Sequence, residues 1–282
     1  AYTHDDLGRL QQANCGSFYN QTFSYDPFGN HTSGGTPSGL VTSFSFASNR
    51  ISGGSYDADG NLLTDPLLPS QANAFDAEGH AVTLEGVSVI YDALGRAVEA
   101  SGQEFLYAPD GRKIAVMNGQ SLQRADIPLP GGDEAVYNAS GLQWYRHADG
   151  LGSAALTTNT SGGVLSSTEY TPYGFDDTGT GTGYRSFTGQ KQDIDTTHTG
   201  GQYDFLLREY NPIQGRWWTP DPAGLAAVGP NNPQSWNRCA YVGGSPLTAV
   251  DPFGLFAADD SDPTTTFTCH EQYLACHAIL VF

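Results

Sequence analysis

Lysine is almost absent from this chain, with Lys113 and Lys191 the only two. Charged residues make up 15% of the 282 residues, against roughly 25% in ordinary domains. Lys and Arg together number 12 against 30 Asp and Glu, a formal net charge of -18. Nucleic acid and anionic membrane both need a basic face, so neither is a partner. Long apolar runs are missing too. The longest is Ala278-Ile279-Leu280-Val281-Phe282, too short to insert across a membrane. Residue 1 is Ala, and no charged-then-apolar leader follows, so the chain reads as a processed product or a piece of something longer. No small-molecule substrate is evident.

Glycine and aromatic residues are plentiful. Gly is 35 of 282 and aromatics are 12%, including 15 Tyr and 14 Phe. That excludes disorder by composition and, with few long helix formers, predicts an all-β chain.

The strongest signal is an internal repeat. Tyr25-Asp26-Pro27-Phe28-Gly29-Asn30 recurs as Tyr56-Asp57-Ala58-Asp59-Gly60-Asn61, Phe75-Asp76-Ala77-Glu78-Gly79-His80 and Tyr91-Asp92-Ala93-Leu94-Gly95-Arg96. Tyr107-Ala108-Pro109-Asp110-Gly111-Arg112 is a copy without the first Asp, and His4-Asp5-Asp6-Leu7-Gly8-Arg9 a further one. An Asp after an aromatic caps a turn through its side chain, and the Gly supplies the positive φ that other residues resist. Alternating runs such as Arg112-Lys113-Ile114-Ala115-Val116 follow, each a strand with one buried face. Successive glycines lie 21, 31, 19, 16 and 16 residues apart. Such irregularity opposes a strict solenoid and predicts an antiparallel sheet wound as a spiral, with the aromatics on one surface.

These units resemble the YD repeats of the RHS family, which includes the toxin-complex shells and the teneurins. The resemblance implies a sheet curled into a hollow spiral shell or barrel. From residue 144 the wording changes. Trp144-Tyr145-Arg146-His147-Ala148-Asp149-Gly150, Tyr170-Thr171-Pro172-Tyr173-Gly174, Leu207-Arg208-Glu209-Tyr210-Asn211-Pro212, Gly215-Arg216-Trp217-Trp218-Thr219-Pro220-Asp221-Pro222 and Val250-Asp251-Pro252-Phe253-Gly254-Leu255 follow in order. This text resembles the RHS repeat-associated core, which closes one end of such shells. Residues 178–186 and 194–201 are insertions against the usual spacing, and Glu209 stands where an aromatic is common. The expected division is residues 1–143 as YD-repeat sheet, 144–255 as core and 256–282 as a short C-terminal tail.

In toxin members the core acts as an aspartyl autoprotease that cuts after the Leu of the DPxGL motif. The resemblance implies a scissile bond at Leu255–Phe256. It also implies a catalytic Asp221, a second aspartate near Asp193 or Asp195, and Asp251 as a positioning residue. Two carboxyls sharing a proton polarise a water and protonate a leaving amine. The alternative role for Asp221 and Asp251 is to cap Asp-Pro turns. Residues beyond 255 remain in the chain, which counts against efficient cutting.

Cys15, Cys239, Cys269 and Cys276 are disulfide candidates with three possible connectivities. Asn20, Asn30, Asn138 and Asn159 open glycosylation sequons, a number that chance also produces. No metal or other cofactor is expected. Asp57-Ala58-Asp59-Gly60-Asn61 resembles half a calcium loop but lacks the distal Glu. Residues 256–282 are too few for an enzymatic payload.

Three functions compete on this reading. The one placed first is an extracellular structural subunit, secreted or at the cell surface, whose partners are copies of itself joined head-to-tail into a fibre through free sheet edges. The alternative is the C-terminal part of a toxin-encapsulating shell that cuts itself after Leu255. The third, a separate enzyme or lectin, rests only on carboxylate pairs that an acidic chain yields by chance. No enzymatic activity beyond self-cleavage is expected.

Overall fold

In the computed structural model the fold is described over residues 1–14, 20–33, 43–45, 48–176, 186–194, 202–255 and 258–259. Every regular element there is a β-strand or a short 3-10 turn. Eleven strands, from Ala74–Phe75 to Val164–Ser167, pair in sequence order as one antiparallel meander. A three-stranded sheet (Tyr2–His4, Leu10–Asn14, Asn20–Thr22) and three small hairpins precede it. After it comes a five-stranded sheet of very short strands: Ser186–Phe187, Gln190–Lys191, Tyr203–Asp204, Glu209–Asn211 and Arg216–Trp217.

The repeat builds the turn its residues predict. At Asp92 the backbone N–H donates to the Arg96 carbonyl and Gly95 N–H donates back to the Asp92 carbonyl, both at 3.0 Å. Asp92 Oδ1 also accepts from the N–H of Leu94 at 2.9 Å and of Arg96 at 3.0 Å. Gly95 has φ +74°, in the region that costs a Cβ-bearing residue energy. The same loop recurs at Asp5, Asp26 and Asp76, and in less regular wording at Asp149, Asn159 and Thr171.

A second device ties three of the units to the one before. Tyr25 donates its hydroxyl to the Leu10 carbonyl at 2.9 Å, Tyr91 to Ala81 at 3.2 Å and Tyr107 to Ala97 at 2.7 Å. In each case the acceptor lies two residues beyond the preceding unit's Gly. The residue just after that Gly covers the same ring. Arg9 lies 4.7 Å over Tyr25, Arg96 5.2 Å over Tyr107, and His80 stacks on Tyr91 at 4.8 Å. Cation–π and stacking contacts of this kind stabilise modestly, but here they repeat along the sheet.

Two apolar cores form. One joins Ile51, Leu62, Leu84, Val89, Phe105 and Val116 of the repeats to Ile194 and Trp218, with Tyr56, Phe75, Tyr91 and Tyr107 against it. The other is largely aromatic and includes Tyr173, Phe187, Tyr203, Phe205, Tyr210, Trp217 and Tyr241. Successive residues of an extended chain point to opposite faces, so Trp217 and Trp218 enter different cores. The sheet does not end at 143. Strands Gly141–Ala148, Ala154–Asn159 and Val164–Ser167 continue its pairing, so the new wording at 144 is no break in the sheet.

Candidate functional site

Arg208 precedes the short strand Glu209–Asn211 and is 5% exposed. A buried guanidinium must find several acceptors. Its Nε donates to the Gly254 carbonyl and its Nη1 to the Arg238 carbonyl at 3.0 Å. Its Nη2 reaches Asp221 Oδ2 at 3.0 Å and Asp251 Oδ2 at 3.3 Å. The face of the guanidinium lies 4.2 Å from the centre of the Trp217 ring. One nitrogen therefore holds two buried carboxylates from segments 30 residues apart in sequence.

Each carboxylate is also a turn residue. Asp251 Oδ1 accepts from the N–H of Gly254 at 2.8 Å and of Leu255 at 2.9 Å. The motif Asp251-Pro252-Phe253-Gly254-Leu255 is thus another Asp-x-x-Gly turn, with Gly254 at φ +74°. Asp221 Oδ1 accepts from Ala223 N–H at 2.9 Å, and Gly224 N–H closes the turn on the Asp221 carbonyl at 3.0 Å. The capping role and the paired role coexist, because each carboxylate gives one oxygen to its turn and the other to Arg208.

Burial pushes both carboxyls up from their ordinary value and Arg208 pulls them down, with a net rise for each. Asp221 raises Asp251 further. Burial lowers Arg208, against the pull of Asp221 and Asp251. Such a pair retains a proton more readily than isolated carboxylates do. A cavity of about 270 Å3 opens on Asp221, lined also by Arg238, Thr219, His80 and Asp59. It is roomy enough for water. Leu255 is buried, and its N–H is held by Asp251. Phe256 lies outside the described residues.

Asp193 is committed elsewhere. It stands in a run of alternating charges: Asp204, Lys113, Asp193, Arg124, Asp126, Lys191, Glu134 and Arg146, with successive contacts of 2.7 to 3.4 Å. Burial opposes its charge, but Lys113, Arg124 and Lys191 outweigh that and hold its carboxyl well below the usual range. Asp195 lies outside the described residues. The partner the structure brings to Asp221 is Asp251. Spacing alone does not show this, because the core segment Leu207–Pro212 that contains Arg208 does not say which carboxylates its guanidinium meets.

Among the described residues Cys239, a disulfide candidate, is a free, half-buried thiol. Cys15, Cys269 and Cys276 lie outside the described residues. Asn30 is a poor glycan acceptor because it is buried and its amide donates to Asp26 at 2.7 Å and to Asn49 at 3.1 Å. Asn20 is exposed, while Asn138 and Asn159 are half-buried and hold turn N–H groups. In the half calcium loop, the Asp57 carboxylate already accepts from Asp59, Gly60 and Asn61. Asp76, Glu78 and His80 each bring a ligand-type atom within 4.8 Å of the others, but Asp76 and His80 are bonded to each other within their turn.

No protein-family model matches the chain. Toxin subunit YenC2 of Yersinia entomophaga is 32% identical over 123 residues, which cover 40% of this chain and 11% of that subunit. The Photorhabdus luminescens Tc holotoxin pore, carrying a mutation in TccC3, aligns with a TM-score of 0.65 at 22% identity, over 93% of this chain and 15% of that one. The complex TcdB2-TccC3-Cdc42 aligns with a TM-score of 0.63 at 23% identity, over 90% of this chain and 15% of that one. The chain has the RHS shell fold of the toxin complexes. It spans only a small part of the proteins that share this shell fold. The head-to-tail fibre expected first finds no support among them. No helix among the described residues is long and apolar enough to cross a membrane.

Proposed function

We propose that this chain is part of the wall and closing core of a toxin-encapsulating RHS shell, and that the core cuts its own chain after Leu255. Its partners are then further shell segments and other subunits of a secreted toxin complex. The observation that carries the reading is the position of Arg208, which holds Asp221 and Asp251 together while Asp251 grips the N–H of Leu255. With one proton on the pair, the ionised carboxylate takes a proton from water entering through the cavity at Asp221. The protonated partner supplies a proton to the leaving amide nitrogen of Phe256. Water adds to the Leu255 carbonyl carbon, the C–N bond breaks, and the pair ends with one proton as before. Arg208 keeps the two carboxylates from repelling each other apart.

Intact mass spectrometry of the purified chain over time is the test. The expected product ends at Leu255, and Asp221→Asn and Asp251→Asn both stay whole. A cut at another bond, or cutting that survives Asp221→Asn, overturns the mechanism and leaves the shell-wall reading standing.

A further inference from the structure

Glu209 is the surplus acid of the joint between sheet and core. The run from Asp204 to Arg146 contains four carboxylates and four cations, so it balances internally. Glu209 lies directly across from Asp204 in the antiparallel pair Tyr203–Asp204 and Glu209–Asn211. Both side chains are buried, at 6% and 8% exposure. Like charges facing each other across strands destabilise a sheet, and more so out of water.

Oxygen accounting sharpens the point. Asp204 Oδ2 accepts from Asp193 N–H at 2.7 Å, from Ile194 N–H at 3.1 Å and from Lys113 at 3.1 Å. Asp204 Oδ1 and Glu209 Oε2 are buried with no donor. The two side chains lie within hydrogen-bonding reach of each other. Two buried acceptors without donors, on residues that face each other across the strands, are costly as they stand, and a hydrogen shared between the two side chains lowers that cost. We propose that Asp204 and Glu209 share a single proton, and that this proton lets the core strands close against the sheet.

The surroundings favour retention of that proton. Lys113 faces the pair, 3.1 Å from Asp204, and Asp193 also engages it. Glu85, at the turn before strand Val87–Tyr91, adds a further acid, and Tyr91 and Tyr107 face the pair from the sheet. Burial, then the charge of Asp204, pushes Glu209 well above its ordinary value. Asp204 lines a cavity of about 70 Å3, large enough for water to carry the proton in and out. An unfolded chain loses the same proton near pH 4, at about the ordinary Glu value. The stability this proton gives is therefore complete below that pH and is lost as pH rises toward the folded pair's own titration.

Urea unfolding of the full chain and of Glu209→Gln, from pH 5 to pH 9, tests this. Gln donates to Asp204 without a titrating proton. The unfolding constant of wild type should rise relative to the variant by up to about tenfold per pH unit until the pair ionises. Parallel profiles overturn the proposal. Carbon NMR of wild type labelled at glutamate carboxyls covers a variant that fails to fold. One glutamate beyond any assigned to Glu85 by Glu85→Gln should stay protonated above the pH at which the others ionise, and its absence also overturns the proposal.

Discussion

Gly79 and Gly95 hold the same place in successive turns, at φ +87° and +74°, but their neighbourhoods differ. A Cβ on Gly79 meets nothing within 4 Å, whereas one on Gly95 would sit 2.7 Å from His80 Nε2. His80 cannot easily give way, because Asp76 holds its ring and Tyr91 stacks on it. Gly79→Ala should cost about 1–2 kcal/mol, the left-handed backbone alone. Gly95→Ala should cost clearly more, and thermal unfolding of the two variants side by side is the check. Equal losses would show that His80 shifts freely. The positive φ was legible in the sequence, because the Gly keeps one register behind an aromatic and an Asp. The His80 contact was not, since it joins two repeats whose spacing varies. Asp251 was legible as a motif residue yet not as the partner of Asp221, because pairing across 30 residues depends on where Arg208 lands.

At the scale of the element, the turn is a small charge trap. Burial works against the carboxylates of Asp57, Asp76 and Asp92, but hydrogen bonds from their own turns prevail and hold all three below the ordinary value. Their contribution is present above about pH 4 and is lost as pH falls through the lowered folded values. Asp92→Asn should therefore destabilise at pH 7 by about 1–2 kcal/mol, with the gap to wild type closing below pH 4. A gap independent of pH would show that the charge is irrelevant to the turn. The regular turns announced themselves through Asp-x-x-Gly after an aromatic. Those at Asp149 and Asn159 lack the aromatic, and the one at Thr171 lacks the Asp, so pattern reading passes over them although the backbone bonds are the same. The two-residue strands of the core are too short for any alternation to show, and their pairing is dictated by the aromatic core beneath them.

Across the whole molecule, the all-β character and the repeat sheet were readable, while the joint between sheet and core was not. The joint depends on charges that are scattered in sequence and meet only when folded. The sheet contributes Lys113, Arg124, Asp126, Glu134 and Arg146, and the later strands and the segment between them contribute Lys191, Asp193 and Asp204. Separated, each side would keep a buried charge without its counterpart, so the two parts fold as one body. Because this joint contains both lysines of the chain, it also governs covalent labelling. Their side chains are 10% and 6% exposed, and each amine is clamped between carboxylates. An amine-directed reagent should leave both untouched in the native protein and modify them together, at one rate, whenever the joint opens. Peptide mapping after a labelling time course reads that rate directly. If Lys191 is modified well ahead of Lys113, the joint yields in stages. Few proteins carry so few lysines, and here a common bench reaction becomes a count of how often sheet and core part.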